Sequence, residues 1–199
     1  INLAQGLAIQ ALRARRNDLK IGTTLALTPS RPAPGGIGLN GLVADGFDQL
    51  WNRAYLDPLL KGAYPDQAQK LVEPFQRAED TAIIKQPIDF MGANYYSPAY
   101  MKFDLMSDAH IAQGDPPAGT ERDAFNREID PAGMWEILKR LRDDYGNPPV
   151  IITENGCSDP FSDGPAQLND QFRIAYLRRH LEPVLAAIEA GSPVGGYFH

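Results

Sequence analysis

Short apolar runs alternate along this chain with segments of helical period, and no two-residue turn joins one apolar run directly to the next. That order constrains the fold more than any other feature, because strands separated by helices pair in parallel through right-handed crossovers. The first helix is read from Leu3, Leu7, Ala8, Ala11 and Leu12, which recur at three- and four-residue intervals. Lys20 to Leu27 reads as a strand stopped by Thr28-Pro29, and a Pro/Gly-rich loop continues to about Ala44. Asp45 is expected to cap a helix with the apolar face Phe47, Leu50, Trp51, Ala54 and Tyr55, closed by Asp57-Pro58. Shorter helical pieces at Asp66 to Leu71 and around Glu79 to Ile84 precede a strand from Ile88 to Tyr96. A polar loop containing Asp115-Pro116-Pro117 reaches Asp130, and Pro131 then opens a helix with the buried stripe Trp135, Leu138 and Leu141, ending near Tyr145. Val150 to Thr153 is a continuous apolar strand of the doubly buried kind. After a turn-rich loop to Leu168, a helix from about Asp170 to Ala190, with Pro183 expected to kink it, stops at Gly191, and Val194 to His199 reads as the last strand.

The order is a helix, three strand-helix units and a strand. It fits either a doubly wound sheet or about half of a (β/α)₈ barrel. Ile1 is not an initiator methionine and the last strand has nothing after it, an expectation that favours the half barrel. A half barrel exposes two strand edges and should need a partner segment.

Composition removes several classes of function. With 43% hydrophobic and 22% charged residues the chain is expected to fold as a soluble globule. No apolar run approaches the roughly 18 residues of a membrane span. Eighteen glycines and seventeen prolines without periodicity exclude a collagen-like repeat and point to long, shaped loops. A net charge of −6 argues against nucleic acid as a partner. The basic groups at Arg13 to Arg16 and Lys139 to Arg142 fall in the last turns of expected helices, where they complement the helix dipole. Cys157 is the only cysteine, so no internal disulfide is possible and a reducing, cytoplasmic setting is expected. His110, His180 and His199 are scattered, which leaves a metal site without ligand spacing; no metal and no cofactor is expected.

Three motifs bear on chemistry. Gly36-Ile37-Gly38-Leu39-Asn40-Gly41 matches the dinucleotide fingerprint, but Pro29, Pro32 and Pro34 separate it from the preceding strand, and the expected cap Asp45 lies beyond it. In the strand ending at Tyr96, alternation puts Gly92, Asn94 and Tyr96 on one face and Met91, Ala93 and Tyr95 on the other. Asn94 and Tyr96 thus either point into a barrel interior as donors for a polar ligand, or satisfy buried backbone. Glu154 ends a buried parallel strand just before Asn155-Gly156, at the mouth where α/β folds build their sites; it is either a site carboxylate or an incidental rim acid.

Thr153-Glu154-Asn155-Gly156 resembles the nucleophile motif of the family 1 glycoside hydrolases, the retaining β-glucosidases. Asp89 to Ser97 resembles the sixth-strand motif of the same family, and Asp57-Pro58, Gly62-Ala63-Tyr64-Pro65 and Gly196-Tyr197-Phe198 match it in order. The resemblance implies that residues 1–199 are the C-terminal half of a single (β/α)₈ catalytic domain, strands five to eight with their helices. It further implies hydrolysis of terminal β-D-glucosides with Glu154 as nucleophile. Tyr96 would orient and stabilise that carboxylate, and Asn94 would lie by the substrate.

The family's acid/base comes from an Asn-Glu-Pro motif that does not occur here. Glu73-Pro74 and Glu182-Pro183 follow Val72 and Leu181 in helical segments and do not replace it. The resemblance therefore implies that the N-terminal half of the barrel is required, and that the 199 residues alone are inactive. A noncatalytic sugar-binding relative, a 6-phospho-β-glucosidase and an unrelated doubly wound nucleotide-binding protein are the competing readings.

Overall fold

The computed structural model describes residues 1–35, 38–107, 109–159 and 170–199. Helix α1 (Asn2–Arg15) leads into β1 (Gly22–Ala26) and a short β2 (Ser30–Pro32). A long helical passage follows as α2 (Asn40–Asp48), a wide turn, α3 (Ala54–Leu56) and a second wide turn over Asp57–Lys61. Helices α4 (Asp66–Val72) and α5 (Asp80–Ile84) precede β3 (Phe90–Asn94), β4 (Ala99–Phe103) and β5 (Ile111–Gln113). The chain closes with α6 (Pro131–Asp144), β6 (Val150–Glu154), α7 (Gln171–Glu189) and β7 (Val194–Tyr197).

Strands β1, β3, β6 and β7 pair in that order, all parallel, as the alternation of elements requires. The sheet is open, and among the described residues β1 and β7 have no second neighbour. One face carries the core. Met91, Ala93 and Tyr95 of the β3 segment and Val150 and Ile152 of β6 pack on Met134, Ile137, Leu138 and Leu141 of α6 and on Val184 and Ala187 of α7. The other face carries Thr24, Gly92, Asn94 and Thr153; a Cβ on Gly92 would lie 2.3 Å from the Thr24 hydroxyl and 3.1 Å from the Thr153 methyl. Asp89 is structural: Arg13 and the Ile21 N–H both bond its carboxylate, tying α1 and β1 to the start of β3.

Four expectations are corrected. The helix after the first loop begins at Asn40, so Asp45 lies inside it and caps nothing. Asp57-Pro58 does not close it either, because Pro58 opens the second wide turn, where a missing N–H is tolerated, and Gly62 at φ +84° ends the passage. The buried positions are Asn40, Ala44, Gly46, Asn52 and Leu56 to Leu59, whereas Trp51 is 48% exposed. Wide turns raise the number of residues per turn, so a 3.6-residue pattern drifts off the inward face and selects the wrong stripe. Finally, the loops expected before Asp45 and Asp130 hold a second sheet, β2-β4-β5, with an antiparallel β4-β5 hairpin. The nominal fingerprint glycine Gly36 and the loop from Phe161 to Leu168 lie outside the described residues.

Candidate active site

The C-terminal ends of β3 and β6 are adjacent, and their pairing is irregular at the last step: Ala93 faces Ile152, but Asn94 faces Glu154. Thr153 is thus an extra residue on β6, a bulge. Ile152 enters the core and Asn155 is buried behind the sheet, while both Thr153 and Glu154 turn to the open face. There the Tyr96 hydroxyl donates to Glu154 Oε2 at 2.6 Å, and the Thr153 hydroxyl donates to Asn94 Oδ1 at 2.5 Å.

Glu154 is exposed and Tyr96 half-buried. The bond to Glu154, helped by burial, raises the Tyr96 phenol above its ordinary pKa, against the opposing charge of Arg127. The phenol therefore stays a proton donor across the neutral range.

Behind the carboxylate, Asn155 ties the site to the core. Its amide donates to the Tyr95 carbonyl at 2.7 Å and to the Tyr176 hydroxyl at 2.9 Å, and its oxygen accepts from the Tyr197 hydroxyl at 2.5 Å. Residues from β3, β6, α7 and β7 thus converge on the position after Glu154. Cys157 is half-buried, and burial together with Asp123 pushes its thiol up to about 11, which disfavours the thiolate. Among the described residues no three His, Cys, Asp or Glu side chains gather to hold a metal ion.

The structure thus brings Glu154, Tyr96 and Asn94 to one face at one end of the sheet, with Asn94 bonded to Thr153 rather than to Glu154. Sequence reasoning missed Asp123 and Arg127, whose guanidinium lies over the Tyr96 ring at 4.8 Å. They sit in a polar loop with no periodicity, and no local signal marks them.

A family model described as Glycosyl hydrolase family 1 matches residues 1–199. The chain belongs to that family. It is 36% identical over 221 residues to a bifunctional β-D-glucosidase/β-D-fucosidase of Bifidobacterium breve, covering 100% of this chain and 46% of that protein. It is 34% identical to the 6-phospho-β-glucosidase GmuD of Bacillus subtilis, covering 98% and 46%. The psychrophilic β-glucosidase BglU of Micrococcus antarcticus superposes with a TM-score of 0.84 at 34% identity, over 99% of this chain and 47% of that one. A β-glucosidase of Exiguobacterium marinum gives 0.87 at 30% identity, over 98% and 46%. This family 1 chain therefore spans about half the length of the relatives it matches.

Proposed function

We propose that residues 1–199 contribute the nucleophile to a retaining β-glucosidase, as strands five to eight of one (β/α)₈ domain whose other strands close the sheet along the free edges of β1 and β7. The observation that carries this reading is the 2.6 Å bond from Tyr96 to Glu154 Oε2 at the C-terminal ends of adjacent parallel strands. Active sites of such barrels are built at that end.

In this reading Glu154 Oε1 attacks the anomeric carbon of a terminal β-D-glucoside. The glycosidic bond breaks, its oxygen takes a proton from a second carboxylic acid outside these residues, and an α-linked glycosyl ester forms on Glu154. Water, deprotonated by that second group, then displaces Glu154 and restores the β configuration. Tyr96 holds the carboxylate while its charge is consumed and regenerated, and Asn94 stands next to it on the sugar-facing side. Without the second carboxyl group the chain by itself has no acid/base and turns nothing over.

Two experiments on the complete enzyme test this. Incubation with a 2-deoxy-2-fluoro-β-glucoside that carries a good leaving group should leave a sugar on the peptide containing Glu154, as read by mass spectrometry. Glu154→Gly should abolish hydrolysis, and azide should restore cleavage of an activated glucoside with inverted product. An adduct on another residue, or unaltered turnover in Glu154→Gly, removes Glu154 from the role; a protein that binds the glucoside and never traps it is a noncatalytic relative.

A further inference from the structure

Asp123 and Arg127 form an ion pair that the reaction outlined above does not use. Asp123 is 6% exposed and sits at the start of a tight turn in which its N–H donates to the Arg127 carbonyl at 2.9 Å and its own carbonyl accepts from Asn126 at 2.9 Å. Its Oδ1 accepts the N–H groups of Phe125 and Arg127 at 2.9 and 3.0 Å. Its Oδ2 accepts Arg127 Nε at 2.9 Å, Arg127 Nη2 at 2.6 Å and the Ser158 N–H at 3.4 Å, which ties the turn to the segment leaving β6. Burial works against ionisation here, yet the bonds from Arg127 hold the Asp123 carboxyl below its usual range.

The consequence is a guanidinium with two of its donors fixed on a buried carboxylate and its central carbon set over aromatic rings. It lies 4.8 Å from the centroid of Tyr96 and 5.2 Å from that of Phe125. The Tyr96 hydroxyl lies on the axis of χ2, so ring rotation does not move it; only a change in χ1 carries it away from Glu154. A cation held on the ring face opposes that swing both sterically and through the ring quadrupole.

We infer that Arg127, anchored by Asp123, is a positioning residue that acts through Tyr96 to keep the phenol aimed at Glu154. The inference rests on the assignment of Glu154 as nucleophile. The carboxylate loses and regains its charge once per turnover, and at each passage its hold on the phenol weakens; a fixed cation on the ring returns the hydroxyl to the same place.

The test is a cycle in the complete enzyme built from Arg127→Gln, Tyr96→Phe and the double variant, with Arg127→Met as a second replacement that keeps the aliphatic stem. In the wild-type background either Arg127 variant should lower kcat on an aryl β-glucoside roughly 3- to 10-fold with KM nearly unchanged, the size of a partly exposed cation–π contact. In the Tyr96→Phe background the same change should cost less than about twofold, because the group through which Arg127 acts is gone. Equal losses in both backgrounds, no loss in the first, or failure of both variants to fold would each overturn the inference and leave Arg127 with a structural role only. Covalent trapping by the 2-fluoro glucoside, run on the same proteins, separates the two readings. An adduct on Glu154 in the wild type with additive kinetics removes Arg127 alone, and its absence in the wild type removes the nucleophile assignment beneath it.

Discussion

Asn155→Asp is the sharpest probe of the site's support, because it keeps the shape of the side chain and removes both of its donors. In the native chain those donors meet the Tyr95 carbonyl at 2.7 Å and the Tyr176 hydroxyl at 2.9 Å in a buried position. An ionised carboxylate would set one oxygen against the Tyr95 carbonyl oxygen, so the introduced acid keeps its proton and its folded pKa rises above the unfolded value of about 3.9. Once protonated it can donate one bond in place of two, a loss of about 1 kcal/mol at any pH. Holding the proton at pH 7 spans about 3.1 pH units at about 1.36 kcal/mol each, so the further cost reaches about 4 kcal/mol. A raised folded pKa places the favourable contribution below the unfolded pKa and removes it as pH rises. The deficit of the variant should therefore grow from about 1.5 kcal/mol near pH 4 to about 5 kcal/mol at pH 7. Urea unfolding of the complete enzyme and the variant at pH 4, 5.5 and 7 measures this, and ionisations common to both proteins cancel in the difference. A difference that does not change with pH would refute the placement of the Asn155 amide against the Tyr95 carbonyl, and with it the proposed anchoring of the residue after Glu154.

Two further outcomes follow from neighbouring groups. His180 is fully buried and stacked on Tyr176 with ring centroids 3.8 Å apart, and burial pushes its pKa down to about 4. The unfolded chain takes up the proton first, so stability is present above the ordinary value of 6.5 and is lost as pH falls toward 4, by about 3 kcal/mol in all; His180→Phe should remove that acid-side loss, and parallel urea midpoints for the two proteins between pH 7 and 4 would show the imidazole is not its source. Gly133 lies under Tyr95, where an added Cβ would fall 2.1 Å from the hydroxyl that donates to the Asp130 carbonyl at 2.6 Å. Gly133→Ala should cost about 1–3 kcal/mol through overpacking, and a thermal midpoint equal to that of the parent would contradict the close approach of α6 to the end of β3.

The parallel sheet was legible because its strands are short runs set between helices, an order that forces parallel crossovers. The expectation that Val150 to Thr153 is buried on both faces is corrected, since Val150 and Ile152 are buried while Ile151 and Thr153 are only half-buried. Alternation along β3 was enough to place Asn94 and Tyr96 together and to send Met91, Ala93 and Tyr95 to the core. The second sheet was not legible: Ser30–Pro32 and Ile111–Gln113 are three residues each, too short for any period to register. The stripe of α2 was misread because wide turns are set by packing and leave no residue signature. Asp123 and Arg127 were invisible for another reason, since their value lies in a contact with the ring of Tyr96, distant in sequence and just past the end of β3.

Glu154 itself shows what pattern can and cannot carry. Strict alternation along β6 puts Glu154 on the same face as Ile152, which is fully buried beneath the helices. A carboxylate there would be unpaired in an apolar layer, a state that costs several kcal/mol. The extra residue at Thr153 reverses the phase at the last position, so Glu154 meets Tyr96 on the open face while Asn155 takes up the buried direction and fills it with three hydrogen bonds. The bulge and the Asn155 network therefore depend on each other. Without the amide the buried direction has no polar occupant to hold the irregular pairing, and without the bulge the carboxylate has no route to the phenol.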